Sequence, residues 1–162
     1  MNVKYLSVYL NDHLAGAVAG VELAKRSASS NEGNTFGTFL SELHHEIAED
    51  RAALERIMER FDVKQDKLKT TGAFVAEKLG RLKTNAHLTS YSPLSRVVEL
   101  EGLALGVTGK LALWRSLLEV ADTDDRLDRD ELEALAERAE AQQKALDEHR
   151  LRAVAETLTA PH

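Results

Sequence analysis

An all-α fold, one bundle of four long helices, is what this chain of 162 residues predicts. Three observations carry that expectation. Apolar residues recur at three- and four-residue spacing over four long windows, and no window alternates as a strand would. Only two prolines occur, at 93 and 161, so the windows run uninterrupted. Clusters of Ser, Asn, Gly and Asp separate the windows where the chain must turn. At this length residues 1–162 form a single domain, large enough to bury a core without cross-links.

The first helix is expected from about Val3 to Arg26, with Leu6, Leu10, His13, Leu14, Ala17, Val21 and Ala24 on one stripe. The polar run SASSNEGNT should end it as a loop. The second begins near Thr35 and continues to about Phe61, its stripe built from Phe36, Leu40, Leu43, Ile47, Leu54, Ile57, Met58 and Phe61. About thirty residues, Asp62 to Tyr91, then separate it from the third, too many for a hairpin connection. Within them Val75, Leu79 and Leu82 predict a short amphipathic helix. The third opens where Ser92 can cap and Pro93 can occupy the first turn, and it reaches about Val120. It is apolar nearly all round, which predicts either the most buried helix or one that meets a second copy, so a homodimer is expected. Its charges fall on two lines, Glu99 with Lys110 and Glu101 with Arg115; Lys110 is expected to snorkel to an end or edge. The fourth starts near Asp128, which with Glu131 resembles a capping box, and runs to about Thr157.

Composition narrows the chemistry. Without cysteine there are no disulfides, thiolate zinc sites, iron–sulfur clusters or cysteine nucleophiles. A formal charge of −6 with no dense Lys/Arg block argues against nucleic acid as a partner. The opening MNVKYLSVYLNDHLAG is broken by Asn11, Asp12 and His13 and fits neither a signal peptide nor a membrane span, so a soluble cytoplasmic protein is expected. No Gly-rich phosphate loop or nucleophile elbow occurs, so an enzyme is the lesser expectation, its one remaining basis being Glu46 and Asp50 as neighbouring carboxylates for acid–base work. Asp122, Asp124, Asp130 and Glu133 stand at ligand positions of a calcium loop, but Arg126 takes the fifth place and Leu127 the sixth, where glycine is needed. An acidic loop with a helix cap is the better reading there.

The stretch SELHHEIAED, residues 41 to 50, concentrates two histidines and four carboxylates on the second helix. A helix turns about 100° per residue, so each side chain can be placed on an arc. From the centre of the apolar stripe, Asp50 falls roughly 35° away, Glu46 roughly 75° and His44 roughly 85°. His45 and Glu49 lie outside the stripe and are expected to pair with each other in solvent. On the first helix His13 falls within the stripe. On the fourth, Gln143 and Arg150 fall nearest its centre and His149 at its margin. A buried polar network of His13, Glu46, Asp50, Gln143 and Arg150 is therefore expected, with Arg150 reaching Asp50 or Glu46, because buried charges need partners.

Four long helices, a long crossover with a short helix inside it, and carboxylates and histidines turned inward together resemble the ferritin-like superfamily. The resemblance covers most of the chain and is one of pattern rather than motif. It implies a four-helix bundle with its long connection between helices two and three. Di-iron members place a Glu on each of two helices and Glu-x-x-His on each of the others. Here Glu42 to His45 gives one such motif with its histidine facing away from the stripe; Leu146 stands three residues before His149; and Glu22 falls on the far side of the first helix. The resemblance thus implies the fold without the di-iron centre. The expected function is a non-catalytic bundle with no cofactor, an ion-pair network in place of iron, acting through helix-surface interactions. The alternative is a divalent-metal site for iron, zinc or manganese with non-standard ligands: His13, Glu46, Asp50, Glu101 and His149.

Overall fold

The computed structural model describes residues 1–67 and 91–159. Four long helices account for nearly all of them: α1 (Val3–Ser30), α2 (Thr35–Arg60), α3 (Pro93–Val120) and α4 (Arg129–Leu158), with a 3-10 turn at Ala121–Thr123. The fold is all-α. The expected short helix around Val75, Leu79 and Leu82 lies outside the described residues.

Each helix starts where a side chain accepts the backbone N–H groups that a first turn leaves free. Asn2 accepts from Tyr5, Asn34 from Phe36 and Gly37, and Asp128 from Glu131. The reciprocal capping box is at Ser92 and Ser95. The run Ser27–Ser30, expected as loop, is the last turn of α1. Side-chain bonds, one tertiary and one local, outweigh its weak helix propensity: Ser27 Oγ donates to Glu99, and Asn31 Nδ2 donates to the Ser27 carbonyl four residues back. After α2 the chain reverses through Asp62 at φ +54°. Asp62 N–H donates to the Glu59 carbonyl and Val63 N–H to that of Met58, with Val63 and Met58 both buried. This is the Schellman termination, with aspartate where glycine is the usual left-handed residue.

The helices pair as two hairpins. α1 packs closely on α2 and α3 on α4; α1 also meets α3, whereas the backbones of α2 and α4 stand further apart. Asn31 and Arg96 meet where α1 ends and α3 begins, so those helices are antiparallel. Along α2 and α4, the contacts Thr35–Arg152, Glu46–Gln142, Asp50–Arg138 and Arg60–Glu131 step in opposite directions through the sequence, so these two are antiparallel as well. α2 and α3 consequently run the same way, and the chain must travel the length of the bundle between them. It leaves along α1, where Asn11 donates to the Lys64 carbonyl and accepts from Asp66 N–H, and returns at Tyr91 beside Asn31.

Leu10, Leu14, Leu40, Leu54, Ile57, Leu100, Leu103, Leu117, Leu132 and Leu146 fill the centre. α3 is not buried all round: Leu94 and Leu105 are exposed, Leu105 by 75%. The loop before α4 is stitched by arginine rather than shaped for calcium. Arg126 grips Asp124, Arg129 grips Asp122 and Glu133, and buried Leu127 anchors the turn.

Candidate functional site

Asp50, 1% exposed, is the most buried charge among the described residues and stands near the middle of α2. Three side chains donate to it. Lys110 of α3 and Arg138 of α4 take one carboxylate oxygen each, and Gln142 Nε2 approaches the Lys110-bound oxygen at 3.3 Å. The network continues outward: Lys110 also donates to Gln142 Oε1, Gln142 Nε2 to Glu46 at 2.9 Å, and Arg138 to Glu49 at 3.0 Å. Burial pulls the Lys110 ammonium below its usual pKa, and the Asp50 carboxylate opposes that shift. Long polar side chains thus fill the α2–α4 seam, which is why those backbones can stand apart.

The sequence reading placed the acid correctly and misplaced its partners. Arg150 pairs with Asp147 of its own helix, and Gln143 donates to Thr108 on α3. Seen down α4 from Leu146, Arg150 and Gln143 lie roughly 40° and 60° to one side, whereas Gln142, His149 and Arg138 lie roughly 40°, 60° and 80° to the other. The first shoulder meets α3 and the second meets α2, a distinction that a single helix's stripe does not contain. Lys110 was expected at an edge and instead occupies the centre. Glu49 pairs with Arg138 rather than with His45.

The five candidate metal ligands are not brought together. Glu46 and Asp50 share the network through Gln142. His13 is half-buried on α1 against the edge of the Tyr9 ring, and its pKa is lowered, chiefly by burial. His149 stacks on Phe39 at 3.7 Å between ring centres. Glu101 is exposed, while Glu99, two residues away, is buried. Among the described residues no three His, Asp or Glu side chains converge as a metal site would require.

Glu99 centres a second polar cluster, at the C-terminal end of α1. Arg26 and Ser27 of α1 and Tyr91 donate to it; Asn31 donates to the Tyr91 oxygen and accepts from Arg96. Burial, the largest cause, and the nearby Glu99 charge push the Tyr91 hydroxyl up to about 12. Glu99 and Lys110, the pair on one line of α3, are therefore the inward charges of that helix. Their common phase was the signal in the sequence for both clusters.

Beside Lys110 lies a cavity of about 210 Å³ between α1, α2 and α3. Its walls include Gly16, Gly20, Gly102, Gly106 and Gly109, with Leu103, Val107 and Trp114, and with Asp50 and His13 at its polar margin. Trp114 is 1% exposed. Its indole N–H is buried without a hydrogen-bond partner among the described residues. No described helix is long and apolar enough to cross a membrane. No family model, curated protein or solved structure matches this chain.

Proposed function

We propose that this protein is a non-catalytic bundle of the ferritin-like kind, in which two protein cations take the position of a metal centre and function lies in association through the helix surface. The observation that carries the reading is Lys110 and Arg138 converging on Asp50 at the middle of the bundle. A carboxylate already neutralised by an ammonium and a guanidinium offers little to a divalent ion, which both groups would also repel. The up–down–down–up order of the helices supports the ferritin-like assignment.

The surface to associate through is the outer side of the α3–α4 hairpin, and the partner is a second copy. Leu94 and Leu105 on α3 and Leu151 and Leu158 on α4 are exposed there. On α4 the leucines lie on the same shoulder as Glu140, which pairs with Arg115 of α3. Such a grouping of large apolar side chains is a feature of interfaces more than of free surfaces. Light scattering with metal titration by calorimetry tests both parts. The expected result is a dimer that Leu105→Glu converts to monomer, with iron, zinc and manganese giving no binding heat and no change in melting point. A monomeric wild-type chain at high concentration would refute the interface. Stoichiometric metal binding that Asp50→Asn abolishes would refute the reading of the centre.

A further inference from the structure

The α2–α4 seam leaves a groove of about 440 Å³ between the two helices. Buried Ala53 and Leu135 floor it, and Ala52 and Ala134 stand in its walls, with Ala134 exposed. Each wall carries the same short pattern, EDRAALER at 49–56 on α2 and ELEALAER at 131–138 on α4. Glu opens both, Ala is fourth and Arg closes both, so acid and base lie two turns apart on one helix face with alanine between them. Because α2 and α4 are antiparallel, the acid of one wall faces the arginine of the other. Glu49 pairs with Arg138 at 3.0 Å, and Arg56 stands 3.7 Å from Glu131. The result is a square of alternating charges around a centre of small apolar side chains, where nothing long keeps another helix away.

We infer that this face binds a second copy of the same chain, α2 on α2 and α4 on α4, each pair antiparallel about a two-fold axis that crosses the groove. A two-fold contact uses one surface twice and so requires that surface to complement itself. Alternating charges do so here. Half a turn about that axis sets Glu49 opposite Arg56 of the second copy and Glu131 opposite its Arg138, with the alanines meeting at the axis. The side chains of Glu49 and Arg56 are 70% and 60% exposed, so both can reach across. Laying α2 on α4 of the second copy would match the same four charges. The next residues along α2 favour like on like: exposed Glu46 and Arg60 then fall opposite each other, whereas the other arrangement sets Glu46 against neutral Gln142. Exposed ion pairs contribute little each and a face this small is a weak one, so the contact forms at high concentration and yields to salt. It lies on the shoulder of α4 opposite the exposed leucines and does not rest on them. Dimers joined through the leucines would pair through this face into tetramers.

The test is analytical ultracentrifugation of the full-length chain carrying Leu105→Glu, which silences the leucine face and isolates this one. Dilute, that variant should be a monomer. Concentrated in low salt it should dimerise, and half-molar salt should weaken the dimer roughly tenfold or more. Adding Ala134→Glu sets like charges on either side of the axis and should abolish the dimer. Adding Glu49→Arg or Arg56→Glu, each alone, sets like charge against like and should abolish it too. Mixed in equal amounts, those last two variants should associate again, because every facing pair is then opposite in sign. Circular dichroism checks that each variant is folded; the substituted positions are all exposed. The inference is overturned if Leu105→Glu stays monomeric at the highest concentration in low salt, if Ala134→Glu associates as well as its parent, or if the mixture stays monomeric.

Discussion

Replacing Asp50 with alanine should be among the most damaging single changes in this protein. The carboxylate is 1% exposed and answers two cations, Lys110, whose side chain is 14% exposed, and Arg138, 32% exposed. Removing it leaves the Lys110 ammonium buried opposite only the Gln142 amide oxygen and the more distant Glu46. Breaking one partner out of a buried pair costs about 3–5 kcal/mol, mostly the penalty of the charge left behind. Arg138 adds less, since it keeps Glu49 and can turn toward water. For a domain of this size each kcal/mol moves the melting temperature by about 2–4 °C, so a fall of roughly 6–20 °C is expected. The companion variant Asp50→Leu with Lys110→Met removes both charges and should cost far less than either loss taken alone would suggest, because apolar replacement of a whole buried pair is often near neutral. Urea unfolding at pH 7, followed by circular dichroism and by Trp114 fluorescence with coincident transitions, measures both. A loss below about 1 kcal/mol for Asp50→Ala, or a double variant as costly as the summed singles, would refute the account of Asp50 as a buried anchor.

Gly37→Ala should destabilise by about 2–3 kcal/mol or more in the same assay, because its Cβ would stand 2.1 Å from the Asn31 carbonyl oxygen and backbone cannot yield cheaply. Gly106→Ala, with open space before it, should instead stabilise by up to about 1 kcal/mol. Asp62→Gly should also stabilise, by several tenths of a kcal/mol, by relieving the left-handed aspartate of the Schellman turn; no gain would mean that its charge near Arg126 matters more. A pH series on wild type and Lys110→Met separates the buried ammonium. Its folded pKa lies below the unfolded value near 10.5, so between the two the unfolded chain holds more protons and wild-type stability should rise with pH relative to the variant. Tyr91 moves oppositely: its folded pKa near 12 stands above the usual 10, so the unfolded state loses its proton first and stability should fall above pH 10. Absorbance titration of wild type against Tyr91→Phe should show one phenol ionising near pH 12.

The number, type and span of the helices could be read from the sequence because apolar periodicity is a property of each helix alone. α2 runs Thr35–Arg60 and α3 runs Pro93–Val120, within a residue or so of the spans that stripe and cap predicted. Asp50 was legible for the same reason, its phase placing it inside the α2 stripe. Its partners were not, because partnership joins two helices. Whether the inner basic residue of α4 is Arg138 or Arg150 depends on which shoulder of that helix faces α2, and the two lie on opposite shoulders of one stripe. On α3 the shared line of Glu99 and Lys110 was visible, but the apolar excess left no polar face to tell whether that line or the line of Glu101 and Arg115 points inward. The last turn of α1 was lost differently: Ser and Asn carry a loop preference of their own, and here Ser27 and Asn31 spend it on bonds to Glu99, Tyr91 and Arg96.

The width of the α2–α4 seam has a mechanical consequence. Along this line the two hairpins are fastened by ionic and amide side chains of considerable reach, while within each hairpin the helices touch directly. Substitutions that remove charge and substitutions that remove apolar packing therefore attack different joints. Asp50→Ala should loosen the fastening along this line while each helical pair keeps its own contacts. Slow-exchanging amides would then resolve into two blocks whose protection declines separately.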